Sequence, residues 1–309
     1  MKNNYALVFY NVENLFDTID DPITNDNEFL PNAKKHWSTR KYKRKLKNIA
    51  SVIHRIHSDT NHIPFIVGLA EVENRSVLQD LINQDELRDY NFDYVHFDSR
   101  DARGIDVSLL FNKSLFEIVL SKTFPIDIQQ NDLSEPTRDI LYVKGLFHNN
   151  PIHVLVNHWP SRREGVKETA FKRLHLSQKL NSIVKTIYEE DSKANIIVMG
   201  DFNDNPRNDS LQNLVLNNNL FNPFTKLWSW NSGTLIHKRK WYLFDQILLS
   251  KNFKTSHFFK FSSAAIFNPS FIQVQKGKYK GAPKRSYAGD KHLAGYSDHF
   301  PVYVSMKGE

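Results

Sequence analysis

Cysteine is absent from the 309 residues. Its absence excludes disulfides, thiolate metal sites and a cysteine nucleophile in one step, so any metal must be held by oxygen or imidazole. Long apolar runs are missing too. No stretch reaches the roughly 18 consecutive apolar residues that read as a membrane span. Acidic residues are outnumbered, 34 against 41 Lys and Arg, which gives a net charge of +7 and a pI near 9.3. That balance favours an anionic partner, and with no apolar run of spanning length no stable membrane association is expected. No repeat, low-complexity tract or linker divides the chain, so one domain over residues 1–309 is expected where length alone suggests about two. The N-terminus leads almost directly into Tyr5-Ala-Leu-Val-Phe-Tyr10, with no signal-like segment. A soluble cytoplasmic protein is the expectation, a removed leader in a longer precursor being left open.

What is present is a run of buried strands that end in polar residues. Ile196, Ile197, Val198 and Met199 form a continuous apolar stretch, closed by Gly200 and followed at once by Asp201, Asn203 and Asp204. A short apolar run bounded by turn residues reads as a buried strand. Gly200 lets another segment approach closely. The same pattern recurs. Tyr5 to Tyr10 ends in Asn11 and Glu13, Pro64 to Ala70 ends in Glu71, and Ile152 to Asn157 runs into His158. Asp106 stands just before Val107-Ser-Leu-Leu-Phe111, and Asp298-His299 just before a closing strand from Phe300 to Ser305. Asp245 falls inside the apolar run Trp241 to Leu249, an odd place for a carboxylate. Strands from Phe116 to Leu120 and Leu141 to Phe147 suggest a meander.

Helices are expected after Ser38, around Val77 to Ile82, from Val166 to about Glu189 and around Ser210 to Leu216. The first carries Leu46, Ile49, Ile53 and Ile56 at helical spacing, opposite Lys41, Arg44, Lys45 and Lys47. That basic face is either solvated or a phosphate-attracting rim. The third is expected to turn Phe171, Leu174, Leu180, Ile183, Val184 and Ile187 inward. Two long loops, 17–38 and 268–296, are where function or disorder is expected.

The strand ends can meet on one edge only if the strands before Glu71 and Asp201 run opposite to those after Asp106 and Asp298. This implies an α+β fold, with two mixed sheets packed face to face and helices outside, a four-layer α/β/β/α sandwich. Glu13, Glu71, Asp201, Asp245 and Asp298 would then share one pocket. Two unit charges 4 Å apart repel by about 4 kcal/mol at an effective dielectric near 20. A divalent cation relieves that repulsion, and all-oxygen ligands favour Mg²⁺ or Mn²⁺.

Taken in order, Asn11-Val-Glu13, Ala70-Glu71-Val72, Arg103-Gly-Ile-Asp-Val107, Asn157-His158, Gly200-Asp-Phe-Asn203, Asp245 and Ser297-Asp-His299 resemble the endonuclease/exonuclease/phosphatase family. The resemblance spans nearly the whole chain and implies a deoxyribonuclease-like fold. It implies Glu71 as principal metal ligand, with Asn11, Glu13 and Asp298 nearby or acting through water. It implies that Asp201 activates the attacking water, that Asn203 orients water or phosphate, and that His158 and His299 contact the phosphoryl group. Asp245 would orient His299. In the apurinic-endonuclease branch asparagine replaces the histidine at position 158, so the chain departs from that branch. Arg103 and Asp106 read either as phosphate-orienting groups or as a loop ion pair. Arg162, Arg285 and Tyr287 lie in loops that should border the site.

The leading expectation is a metal-dependent phosphodiesterase, a nuclease on DNA or RNA, monomeric and without a protein partner. One rival is a phosphoesterase for a phospholipid head group or an inositol or sugar phosphate. Residues 219–230, rich in Phe and Trp, are the best candidate for a membrane-docking hairpin. The other rival is a silent nucleic-acid-binding module, which the intact acids argue against. Endo or exo mode, and the number of metals, stay open.

Overall fold

The structure, a computed structural model, describes residues 3–130 and 133–308. In chain order the first strands are β1 (Asn3–Leu15), β2 (Ile63–Val72), β3 (Phe92–His96), β4 (Asp106–Asn112), β5 (Phe116–Gln130) and β6 (Leu133–Phe147). There follow β7 (Asn150–His158), β8 (Asn195–Asp201), β9 (Leu220–Phe221), β10 (Leu235–His237), β11 (Lys240–Tyr242) and β12 (Asp245–Ser250). The last are β13 (Phe259–Ile266), β14 (Tyr287–Ala288), β15 (Lys291–His292) and β16 (Val302–Gly308). The helices are α1 (Thr39–Thr60), α2 (Arg75–Ile82), α3 (Ala170–Glu190) and α4 (Asp209–Asn217).

Twelve strands make two six-stranded sheets, ordered β13-β16-β1-β2-β4-β3 and β5-β6-β7-β8-β12-β9, and two small hairpins pair β10 with β11 and β14 with β15. Both large sheets are mixed. β1 runs parallel to β2 and β7 parallel to β8, while β4 and β12 run antiparallel to their neighbours β2 and β8. This is the direction pattern that the polar strand ends required.

Period-two alternation decides the layers. Tyr5, Leu7 and Phe9 of β1 meet Val154, Val156, Ile197 and Met199 between the sheets. Ala6, Val8 and Tyr10 face outward to Leu46, Ile49 and Ile53 of α1. On the far side Ile196, Val198 and Leu248 pack on Leu180, Val184 and Leu211 of α3 and α4. The result is the four-layer sandwich. Gly68 belongs to its middle, where a Cβ would stand 2.4 Å from Met199 Sδ.

Several local expectations give way. The meander strands are 15 residues each, extending past Leu120 and beginning before Leu141. The α3 helix starts at Ala170, and Phe171 and Leu174 are 40% and 38% exposed instead of facing inward. Ser38 caps α1 with its backbone carbonyl, which accepts from Lys41 N and Tyr42 N, and not with its side chain. Asp245 does not sit mid-strand. Leu243 and Phe244 bridge β11 and β12, held by Asn205 Oδ1 and by Phe202 N, and Asp245 is the first residue of β12. Lys45 is buried, in contrast to Lys41, Arg44 and Lys47 on the same helix. In the 219–230 segment Phe224 is buried, Phe221, Leu227 and Trp228 are partly buried, and Trp230 is exposed. Among the described residues no helix is long and apolar enough to cross a membrane.

Candidate active site

The strand ends meet along one edge of the sandwich. In the second sheet the register sets His158 and Asp245 on either side of Asp201. Gly200 makes this possible, because a Cβ there would lie 2.5 Å from the Asn157 carbonyl oxygen. In the first sheet both parallel strands break register near their C-terminal ends, between Asn11 and Leu15 on β1 and between Ala70 and Val72 beside β4. Glu13, Asn14 and Glu71 take left-handed backbone at these irregularities, with φ of 54°, 53° and 67°. Asn203, just past β8, does so too at 50°. Such geometry is rare outside glycine, is sustained by surrounding structure, and gathers at functional sites. Bulges re-aim side chains; here they turn acids out of the ladder.

Asn11 links the two sheets. Its Nδ2 donates to Asp201 Oδ2 at 3.0 Å and, more weakly, to Glu71 Oε1 at 3.5 Å. Its Oδ1 accepts from Glu13 N at 3.0 Å. Glu71 Oε2 accepts from Asn14 N at 2.9 Å, and Asp201 Oδ1 from Asn203 N at 3.0 Å. His158 Nε2 stands 3.9 Å from Glu71 Oε1 and 3.8 Å from Asp201 Oδ2. His299 Nε2 is 3.9 Å from the same Asp201 oxygen, and its Nδ1 is 2.7 Å from Asp245 Oδ2. Ser297 secures this corner, donating from Oγ to Asn11 O and accepting from His299 N.

The two histidines carry opposite protonation. Burial, then Arg138 and Arg103, push the His158 imidazole well below its ordinary pKa, so it is neutral. Burial also opposes the charge on His299, but Asp245 and Asp201 outweigh it and hold that ring well above its ordinary pKa. Burial raises Asp201 to about 7, with Asp245 adding to the rise and His299 opposing it. Glu13 is likewise raised to about 7, by burial and then by Asp298, against Lys45.

A cation fits this donor set. Glu71 and Asp201 converge as oxygen ligands, bridged by the Asn11 amide nitrogen, and among the described residues no Lys or Arg pairs with Glu71 or Asp201. Asp201, Asp245 and His299 also bring ligand atoms within 4.8 Å of one another. Within that set Asp245 and His299 share a 2.7 Å hydrogen bond that orients the imidazole. Glu13 and Asp298 are less free than expected. Arg285 Nη2 lies 3.0 Å from Asp298 Oδ2 and Arg285 Nε 3.6 Å from Glu13 Oε1, while Glu13 Oε2 accepts from Ser286 N at 2.6 Å.

The remaining predicted residues divide. Arg103 donates to Asn14 Oδ1 at 2.8 Å and lines a cavity of about 340 Å³ beside Glu13 and Asn14. Arg285 and Tyr287 line it as well, with Lys35 and Arg163. Arg162 turns elsewhere: it donates to Asn203 O and Asp204 Oδ1 and covers the Phe244 ring. Asp106 accepts from Ser99 N at 3.1 Å and forms no loop ion pair with Arg103. The Nδ2 of Asn203 is engaged by Trp159 O at 2.9 Å. Sequence reasoning missed Asn14, Lys35 and Arg163, and gave Ser297 no role beyond its place in the motif Ser297-Asp-His299. Adjacency to a motif was a usable signal for Asn14; Lys35 and Arg163 are recognised only by placement.

The profile of the Endonuclease/Exonuclease/phosphatase family matches residues 6–308. No curated protein matches the chain. Solved structures agree in fold. A family protein from Bacteroides thetaiotaomicron has a TM-score of 0.64 at 15% identity, over 100% of this chain and 99% of that one. The mannosyl-6-phosphatase of the same organism has a TM-score of 0.61 at 16% identity, over 98% and 99%. D. rerio TDP2 complexed with single-strand DNA product has a TM-score of 0.58 at 15% identity, over 98% of each chain. With a match over almost its full length, the chain belongs to the Endonuclease/Exonuclease/phosphatase family of phosphoester hydrolases.

Proposed function

We propose that the chain is a divalent-metal-dependent phosphodiesterase, working by in-line attack of water, with a nucleic-acid strand as substrate. The array Asp245–His299–Asp201 facing Glu71 carries this reading. Asp201 accepts the proton of the attacking water. Its raised pKa, about 7, makes it a better base at neutral pH than an ordinary carboxylate. Protonated His299, fixed by Asp245, donates a hydrogen bond to the phosphoryl oxygen where charge grows. Neutral His158 is a second donor there. Glu71 would hold Mg²⁺ or Mn²⁺, with Asn11, Glu13 and Asp298 acting nearby or through water. When bound, the ion offsets the carboxylate charge and polarises the phosphoryl oxygen.

The net charge of +7 supports an anionic polymer as substrate. We propose that the enzyme acts as a monomer in the cytoplasm. A second reading has one observation behind it. The cavity beside Glu13 is lined by Lys35, Arg103, Arg163, Arg285, Asn25 and Glu28, which suits a compact phosphoester rich in hydroxyls, such as a sugar phosphate. Turnover of bis(p-nitrophenyl) phosphate with Mg²⁺ or Mn²⁺ tests the chemistry. Undiminished activity in EDTA or in Asp201→Ala defeats it. Parallel assays on single-stranded DNA, RNA, inositol phosphates and hexose phosphates then decide between the readings.

A further inference from the structure

A second set of metal-binding groups lies where β3 leads into β4. His96 closes β3, Asp106 opens β4, and Asp98 stands between them. One ligand atom from each lies within 4.8 Å of the others. His96 Nε2 is 3.1 Å from Asp98 Oδ1. His96 and Asp106 are 2% and 4% exposed, whereas the Asp98 side chain is 83% exposed. The set is therefore anchored in the protein and open to solvent on one side.

Asp106 is only half satisfied. Its Oδ2 accepts from Ser99 N, but Oδ1 is buried with no hydrogen-bond partner, as is Oγ of Ser108. Ser108 is the cross-strand partner of His96. An orphaned buried acceptor costs about 1–3 kcal/mol, and more when it is charged. Among the described residues no Lys or Arg pairs with Asp106. A cation is what this carboxylate lacks.

We propose that His96, Asp98 and Asp106 bind a divalent transition metal at a site separate from the centre at Glu71 and Asp201. One imidazole with two carboxylates suits Zn²⁺ or Mn²⁺, whereas Ca²⁺ and Mg²⁺ take oxygen ligands. The ion closes the connection 97–105 at its base. In that connection Asp101 accepts from Arg103 N at 3.0 Å and from Arg138 Nη1 at 2.9 Å. The site thus fixes the loop that delivers Arg103 to the cavity, a positioning role and not a catalytic one.

The test uses the full chain stripped of metal, with Glu71→Ala removing the first centre. Calorimetric titration with Zn²⁺ or Mn²⁺ should find one ion per chain in Glu71→Ala. Adding His96→Gln or Asp106→Asn should weaken that binding by at least about tenfold. Pulsed EPR of Mn²⁺ bound to Glu71→Ala should show imidazole nitrogen coupling, lost with His96→Gln. Should Asp106→Asn fail to fold, His96→Gln alone decides. An ion-free Glu71→Ala protein, or binding and nitrogen coupling unchanged by His96→Gln, overturns the proposal.

Discussion

His299 Nδ1 and Asp245 Oδ2 are 2.7 Å apart, and the Asp245 side chain has no solvent exposure. An unpaired carboxylate at that depth would be costly, so its charge is neutralised by the ring it orients. Asp245→Asn keeps the shape and removes the charge. His299 then loses its proton at lower pH, and a reaction that needs the protonated ring fails as pH rises through the reduced pKa. The basic limb of the pH–rate profile should move down, with kcat falling by about 10²–10⁴. A basic limb that stays in place removes His299 as the donor.

Asp201 and Glu13 both titrate near 7 in the ion-free protein, chiefly through burial. Unfolded carboxylates titrate near 4. The folded state therefore binds more protons between those values, and stability falls as pH rises through about 7. Ion-free protein should melt higher at pH 5 than at pH 8. Mg²⁺ or Mn²⁺ should raise the melting temperature more at pH 8, where the carboxylates are ionised. Calorimetry at the two pH values, with and without ion, reads both effects.

Gly200→Ala drives a methyl to 2.5 Å from the Asn157 carbonyl oxygen, which is backbone and cannot swing away. Strands β7 and β8 must separate by some tenths of an ångström. The expected cost is about 1–3 kcal/mol in urea unfolding. Because His158 and Asp201 follow directly, activity should fall further than the lost stability explains. Wild-type stability in this variant would refute the close approach.

Lys45 Nζ donates to Ser286 Oγ at 2.6 Å and to Tyr296 O at 2.7 Å, with Glu13 Oε2 at 3.8 Å. Burial depresses its pKa, while Glu13 opposes that fall. Lys45→Met leaves Glu13 buried without its buried cation, only the half-exposed Arg285 remaining beside it, and orphans two acceptors. Breaking a buried pair on one side costs about 3–5 kcal/mol. Denaturant titration should show a loss of that order, and Lys45→Arg should not restore it.

Arg163 is exposed on the cavity rim and reached by no motif. Arg163→Ala should raise KM about tenfold, equivalent to roughly 1.4 kcal/mol, and leave kcat and melting temperature unchanged. A drop in kcat alone would move it from substrate binding to the reacting atoms.

The polar strand ends were legible because a strand covered on both faces must be continuously apolar, which makes Asp201 after Met199 conspicuous. Strand direction followed from the need for those ends to meet. The left-handed backbone of Glu71 was not legible, since nothing in Ala70-Glu71-Val72 demands it and the neighbouring strands impose it. Leu243 and Phe244 hid the break before Asp245, because apolar residues without a hydrogen-bonding ladder look like strand. Lys45 had a signal that charge obscured: it lies four residues before Ile49, on the buried stripe of α1. Its partners are 241 and 251 residues away, beyond any local pattern.

The two large sheets share one direction plan, each with a parallel pair flanked by antiparallel neighbours. One contributes Asn11 and Glu71, the other His158 and Asp201, and Asn11 Nδ2 reaches across to Asp201. The proposed catalytic set is thus divided between the two sheets, and neither sheet holds it alone. Turnover becomes a reporter of their docking: during refolding it should return only after the sheet–sheet core has closed, later than any signal from either half alone.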